Sequence, residues 1–76
     1  MSVPISRTPV SSSTLVSVGY SSAEAALEAE FHRGTVYRYL DVPESVYQGL
    51  VAAESVGKYF NAAIRGRFQF VRLASG

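Results

Sequence analysis

Val36-Tyr37-Arg38-Tyr39-Leu40, framed by Gly34 on one side and Asp41-Val42-Pro43 on the other, is the stretch whose reading decides the fold. β-branched and aromatic residues favour a strand, and a glycine just before it supplies the positive φ of a hairpin turn. In a strand Tyr37 and Tyr39 share one face, while Val36, Arg38 and Leu40 take the other. Such a tyrosine pair is either core or a platform on which nucleotide bases stack. Arg38 needs water, which favours the tyrosine face as the covered one. Val36 and Leu40 also need cover, so the strand is central or its second face meets a partner or a second copy.

Working back from Gly34, the run Ala26 to Phe31 has helix-forming alanines and glutamates, but its pattern has period two. Leu27, Ala29 and Phe31 fall on one side, Glu28 and Glu30 on the other. With His32-Arg33-Gly34 as the turn, a hairpin accounts for both runs. Further back, Thr14 to Tyr20 reads as another strand, closed by the turn residues Ser21 to Glu24. Residues 1–12, with Pro4, Pro9 and a serine run, read as a flexible tail, and residues 13–74 as the domain.

Working forward, Pro43 suits the first turn of a helix, where its missing N–H had no partner to lose. Val46, Leu50 and Ala53 continue at helical spacing. Ser55 is a candidate N-cap for a second helix, in which Val56, Tyr59, Phe60, Ala63 and Ile64 form one apolar stripe. Gly66 ends it, and Arg67 to Leu73 reads as a last strand. The expected fold class is α+β: a small two-layer domain with a three-strand antiparallel meander, two helices and a final strand, β-β-β-α-α-β. The helices must cover one face of the sheet, since neither layer can bury its apolar side alone.

The 76 residues suffice for one domain. There is no cysteine, which excludes disulfides and thiolate chemistry. No apolar run approaches a membrane span. The N-terminal stretch, with Arg7 its one charge, lacks the apolar core of a secretion signal, so a cytoplasmic location is expected.

The chemistry of an enzyme is not visible. His32 is the single histidine, and Glu28, Glu30 and His32 alternate on a flat strand face that offers no closed metal site. Carboxylates fall on polar faces, serines lie far from any base, and no glycine-rich phosphate loop exists. No catalytic residue, metal or cofactor is expected. Charge is more informative. All six acids precede residue 55, whereas Lys58, Arg65, Arg67 and Arg72 follow with no acid among them. Cations beside strand aromatics suit single-stranded nucleic acid, the rings stacking on bases and the cations holding phosphates. The candidates for such binding are Tyr37, Arg38, Tyr39, Lys58, Arg65, Arg67 and Arg72, with Phe68 and Phe70 favoured as core. The alternative is a protein-interaction or self-association module.

Ser17-Val18-Gly19-Tyr20, Leu27-Glu28-Ala29-Glu30-Phe31, Gly34-Thr35-Val36-Tyr37-Arg38-Tyr39, Val42-Pro43, Ser55-Val56-Gly57-Lys58-Tyr59-Phe60-Asn61 and Ile64-Arg65 occur in an order that resembles the KTSC domain. That family takes its name from a C-terminal extension of some lysyl-tRNA synthetases and includes free-standing small bacterial and phage proteins. The resemblance covers residues 10 to about 73. It implies a central Tyr-x-Tyr, matched by Tyr37 and Tyr39, and RNA binding; it carries no catalytic residues. Ser21 stands where aspartate is frequent in the family, and His32-Arg33-Gly34 replaces an Asn-Gly type of turn.

Overall fold

The computed structural model describes residues 5–74. The chain forms a five-stranded antiparallel sheet in the order β1-β2-β3-β4-β5, with two helices between the last two strands in sequence. The strands are β1 Thr8–Pro9, β2 Leu15–Ser21, β3 Ala26–Phe31, β4 Val36–Tyr39 and β5 Phe70–Ala74. The helices are α1 Glu44–Ala52 and α2 Val56–Ala63. The α+β class and the meander followed by two helices and a strand agree with the sequence.

The strand count does not. Residues 8–9 pair with β2, Thr8 opposite Val18 and Pro9 opposite Ser17, so the segment from residue 5 onward lies on the sheet instead of forming a tail. Residues 1–4 of that expected tail lie outside the described residues. Proline and serine composition suggested a free end, but a strand of two residues carries no periodic signal. Gly19 makes this path possible. A Cβ there would collide with the Ser6 carbonyl oxygen and the Ile5 side chain, so the N-terminal segment crosses directly above a bare backbone.

The hairpin from β3 to β4 turns at Gly34, whose φ is 86°. Phe31 N–H donates to the Thr35 carbonyl and Gly34 N–H to the Phe31 carbonyl, each at 2.9 Å. Register follows: Leu27 faces Tyr39, Ala29 faces Tyr37 and Glu28 faces Arg38. The tyrosines therefore share the face of Leu27, Ala29 and Phe31, and both helices pack on that face. Ser55 caps α2 as its sequence suggested, its hydroxyl accepting from Lys58 N–H at 3.3 Å.

Leu15, Val18, Leu27, Ala29, Tyr39, Val42, Leu50, Val56, Phe60 and Ile64 make the buried core. Phe60 is its centre, edge-on to both Phe31 and Tyr39 with ring centroids 5.5 Å apart in each case. On the opposite face of the sheet Glu28 is 3% exposed. Its two oxygens are taken by two arginines: Oε1 by Arg7 Nη1 at 2.8 Å, Oε2 by Arg38 Nη2 at 2.7 Å. Arg7 thereby ties the crossing N-terminal segment to the middle of the sheet.

Candidate functional site

Phe60 covers Tyr39 on the helix side of the sheet, but the face beyond it, at Tyr37 and Phe70, stays open. A cleft of about 350 Å³ opens there between the end of α2 and the sheet, lined by Phe31, Arg33, Thr35, Tyr37, Tyr39, Arg65, Gly66 and Phe70. Its position follows from the local sequence. The Gly34 turn places Arg33 at one end of β3. Gly66, with φ of 76°, turns the chain away after α2, leaving Arg65 at the rim. Tyr37 and Phe70 form the wall, edge to face at 4.9 Å. Phe70 is 54% exposed and Tyr37 is half-buried. No acid lines this cleft; of its two arginines, Arg65 donates from Nη1 to Asn61 Oδ1 at 3.5 Å.

The seven candidate residues are divided by the fold. Tyr37 and Arg65 stand in the cleft. Tyr39 forms its floor but is 4% exposed, a core side chain with no free ring face. Arg38 points through the sheet to the other side, where Glu28 holds it and Glu24 lies 3.7 Å from its Nη1. A paired and largely covered guanidinium has no phosphate-binding capacity to spare. Lys58 lies at the start of α2 beside the serines of residues 11–13, away from the cleft. Arg67 folds back, its Nε donating to the Ala62 carbonyl at 2.9 Å. Arg72 is exposed on β5, in register with Tyr37.

Sequence reasoning missed Arg33, which looked like a turn residue, and set Phe70 in the core. The signal for Arg33 was its place beside the hairpin glycine, at the end of the strand that carries Phe31. Phe70 carried no signal, because its exposure results from β5 being the edge of the sheet.

Among the described residues no group of three His, Cys, Asp or Glu side chains could hold a metal ion. The three that alternate on β3 and its turn are individually engaged. Glu28 binds the arginines, Glu30 accepts from the Ser17 hydroxyl at 2.8 Å, and His32 Nε2 meets the Ser12 carbonyl at 2.8 Å.

The family model of the KTSC domain matches residues 11–68. The chain belongs to the KTSC domain family. A crystal structure of a KTSC domain protein from Yersinia pestis superposes with a TM-score of 0.88 at 38% identity, covering 93% of this chain and all of that one. A protein of Tsukamurella paurometabola is 42% identical over 65 residues, 86% of this chain and 97% of that protein. A lysine–tRNA ligase of Nostoc punctiforme is 39% identical over 62 residues, 82% of this chain but only 11% of the ligase. The KTSC match runs from the loop before β2 to just past α2. It includes Arg33, Tyr37 and Arg65 of the cleft and stops short of β5, which supplies Phe70.

In this KTSC domain the covered tyrosine has a distinct acid–base character. Burial, and then the neighbouring Tyr37, push the Tyr39 phenol above the ordinary tyrosine value, with Arg65 opposing the shift. Tyr20 is raised as well, by burial and by the charge of Glu44. A raised folded-state value means that the folded state holds the proton more tightly than the unfolded chain. The stability this contributes is complete below a pH of about 10 and is lost as pH climbs through the folded values. Spectrophotometric titration should therefore show Tyr20 and Tyr39 ionising above the ordinary tyrosine value. Tyr39→Phe should remove one of these raised ionisations and lessen the alkaline loss of stability; Tyr39 ionising at the ordinary tyrosine value in the folded protein would contradict the assignment.

Proposed function

We propose that this KTSC domain is a non-catalytic, cytoplasmic module that binds single-stranded nucleic acid weakly, RNA first, through the cleft between β4, β5 and the end of α2. The observation that carries this reading is the pairing of an aromatic wall, half-buried Tyr37 and exposed Phe70, with two arginines, Arg33 and Arg65, in a cleft with no lining acid. An unpaired base laid on Phe70 meets the edge of Tyr37, and the guanidinium groups lie within reach of the flanking phosphates. The cleft volume sits at the lower end of the range for small-ligand sites, which suits one base at a time. Kinship with a short part of a lysine–tRNA ligase agrees with an RNA ligand.

The test is a titration of isotope-labelled protein with short single-stranded RNA at low salt. Amide shifts are expected at Arg33, Tyr37, Arg65 and Phe70, and not around Lys58. Two phosphate contacts predict a slope of about −1.4 for log affinity against log salt. Arg65→Ala should halve that slope, and Phe70→Ala should cost about 1–3 kcal/mol of binding. Duplex RNA, whose bases are not free to enter, should bind more weakly. An absence of shifts at millimolar single-stranded RNA would remove the proposal.

A further inference from the structure

Four large hydrophobic side chains are exposed among the described residues, and three of them are on β5: Phe70 at 54%, Val71 at 46% and Leu73 at 48%. The fourth, Val51, stands apart on α1. Among the described residues β5 is the last strand of the sheet, and its outer hydrogen-bonding groups have no strand beside them. The opposite edge is blunted differently. β1 is two residues long and contains Pro9, which cannot donate. β5 has neither protection and carries apolar side chains on both faces.

The ladder determines which β5 groups point outward. Leu40 N–H donates to the Gln69 carbonyl at 2.8 Å, and the register continues Tyr39 to Phe70, Arg38 to Val71 and Tyr37 to Arg72. Antiparallel pairs alternate between bonded and non-bonded. Val71 therefore turns its N–H and C=O toward β4, while Phe70 and Arg72 turn theirs to the open edge. These outward groups are symmetric about Val71.

We infer that β5 pairs antiparallel with β5 of a second copy, with Val71 on the two-fold axis. In that register Phe70 of one copy bonds to Arg72 of the other, and the reverse, closing two bonded pairs. Each guanidinium comes beside a phenyl ring, a favourable cation–π arrangement. Shifting the centre to Arg72 would set the two arginines opposite one another, which like-charge repulsion disfavours. An axis perpendicular to the sheet keeps both clefts on one side, and the second copy's Arg72 then flanks the Phe70 wall. This completion of the cleft rests on the nucleic-acid reading; the dimer does not. A single edge strand falls well below the standard interface of about 800 Å² per partner, so the association is weak and concentration-dependent.

The absence of cysteine permits a direct test on the free protein, without RNA. Val71→Cys should form an intermolecular disulfide under mild oxidation, because non-bonded antiparallel partners approach to about 4.5 Å between Cα atoms. Val51→Cys, equally exposed but on α1, measures random collision. Val71→Lys should weaken self-association at least about tenfold in sedimentation, and mixing it with Val71→Glu should restore it. A monomer across the whole concentration range, or cross-linking of the Val71 and Val51 variants at equal rates, would overturn the inference. Broadening of β5 amides by an added acidic extended peptide, in protein that stays monomeric, would overturn it in favour of a foreign strand. Failure of RNA binding with the dimer intact would remove only the nucleic-acid reading.

Discussion

Tyr39→Ala is expected to cost about 3–5 kcal/mol, as large aromatic truncations in packed cores do. The ring is 4% exposed and packs on Phe60 and Phe70, both at 5.5 Å between centroids. Alanine would leave a void beneath the cleft that backbone hydrogen bonding of β4 to β3 and β5 prevents from closing. For a chain of this length total stability is about 4–11 kcal/mol, so the variant would stand near the edge of folding. With a urea m-value near 1 kcal/mol/M, low as befits a short chain, the midpoint should fall by about 3 M or more. A fall of less than about 1 M would place the ring outside the core. Tyr37→Ala gives the contrast. Its half-buried ring should cost no more than an ordinary substitution, about 0.5–3 kcal/mol, while removing one wall of the cleft. The two tyrosines stand two residues apart and should separate into a stability phenotype and a binding phenotype.

The second large effect is expected at Glu28. Removing one partner of a buried ion pair leaves the other charge uncompensated, and in deep interiors this costs about 3–5 kcal/mol. Here the side chains of Arg7 and Arg38 are 31% and 16% exposed, so both can recover some hydration. Glu28→Ala should therefore cost less, about 1–3 kcal/mol. It should also loosen the crossing segment, since Arg7 loses its partner. Hydrogen exchange in residues 5–9 should accelerate more than exchange in α2. Glu28→Gln keeps the shape and can still accept from the arginines, and should recover part of the loss. Unchanged exchange in residues 5–9 would show that Gly19 and the β1 pairing alone hold that segment.

The hairpin was legible because two period-two runs flank a glycine that must adopt a positive φ, and both signals are local. The second helix was legible for the same reason: a serine cap, an apolar stripe at helical spacing and a following glycine all lie within twelve residues. The strand of residues 8–9 was not, because its pairing depends on Gly19 being bare ten residues later. The division of the basic residues was equally hidden. Arg38 resembled a phosphate ligand from its neighbours in the chain, and only the register that sets it opposite Glu28 shows it to be spent.

The tyrosine pair shows where local and tertiary information part. Alternation alone determined that Tyr37 and Tyr39 share one face of their strand, that Leu27, Ala29 and Phe31 share one face of theirs, and that two helices must cover one side of the sheet. Those conclusions need only the two-residue repeat of a strand and the 3.6-residue repeat of a helix. The hairpin register then put both sets on the covered side. How far the cover extends was decided by the helices themselves. They are short, and α2 ends at Ala63, so Phe60 reaches Tyr39 while Tyr37 remains at the border. Edge position then exposed Phe70, which pattern alone had assigned to the core. Burial is a property of distances between elements, and those distances exist only once the sheet and helices are packed.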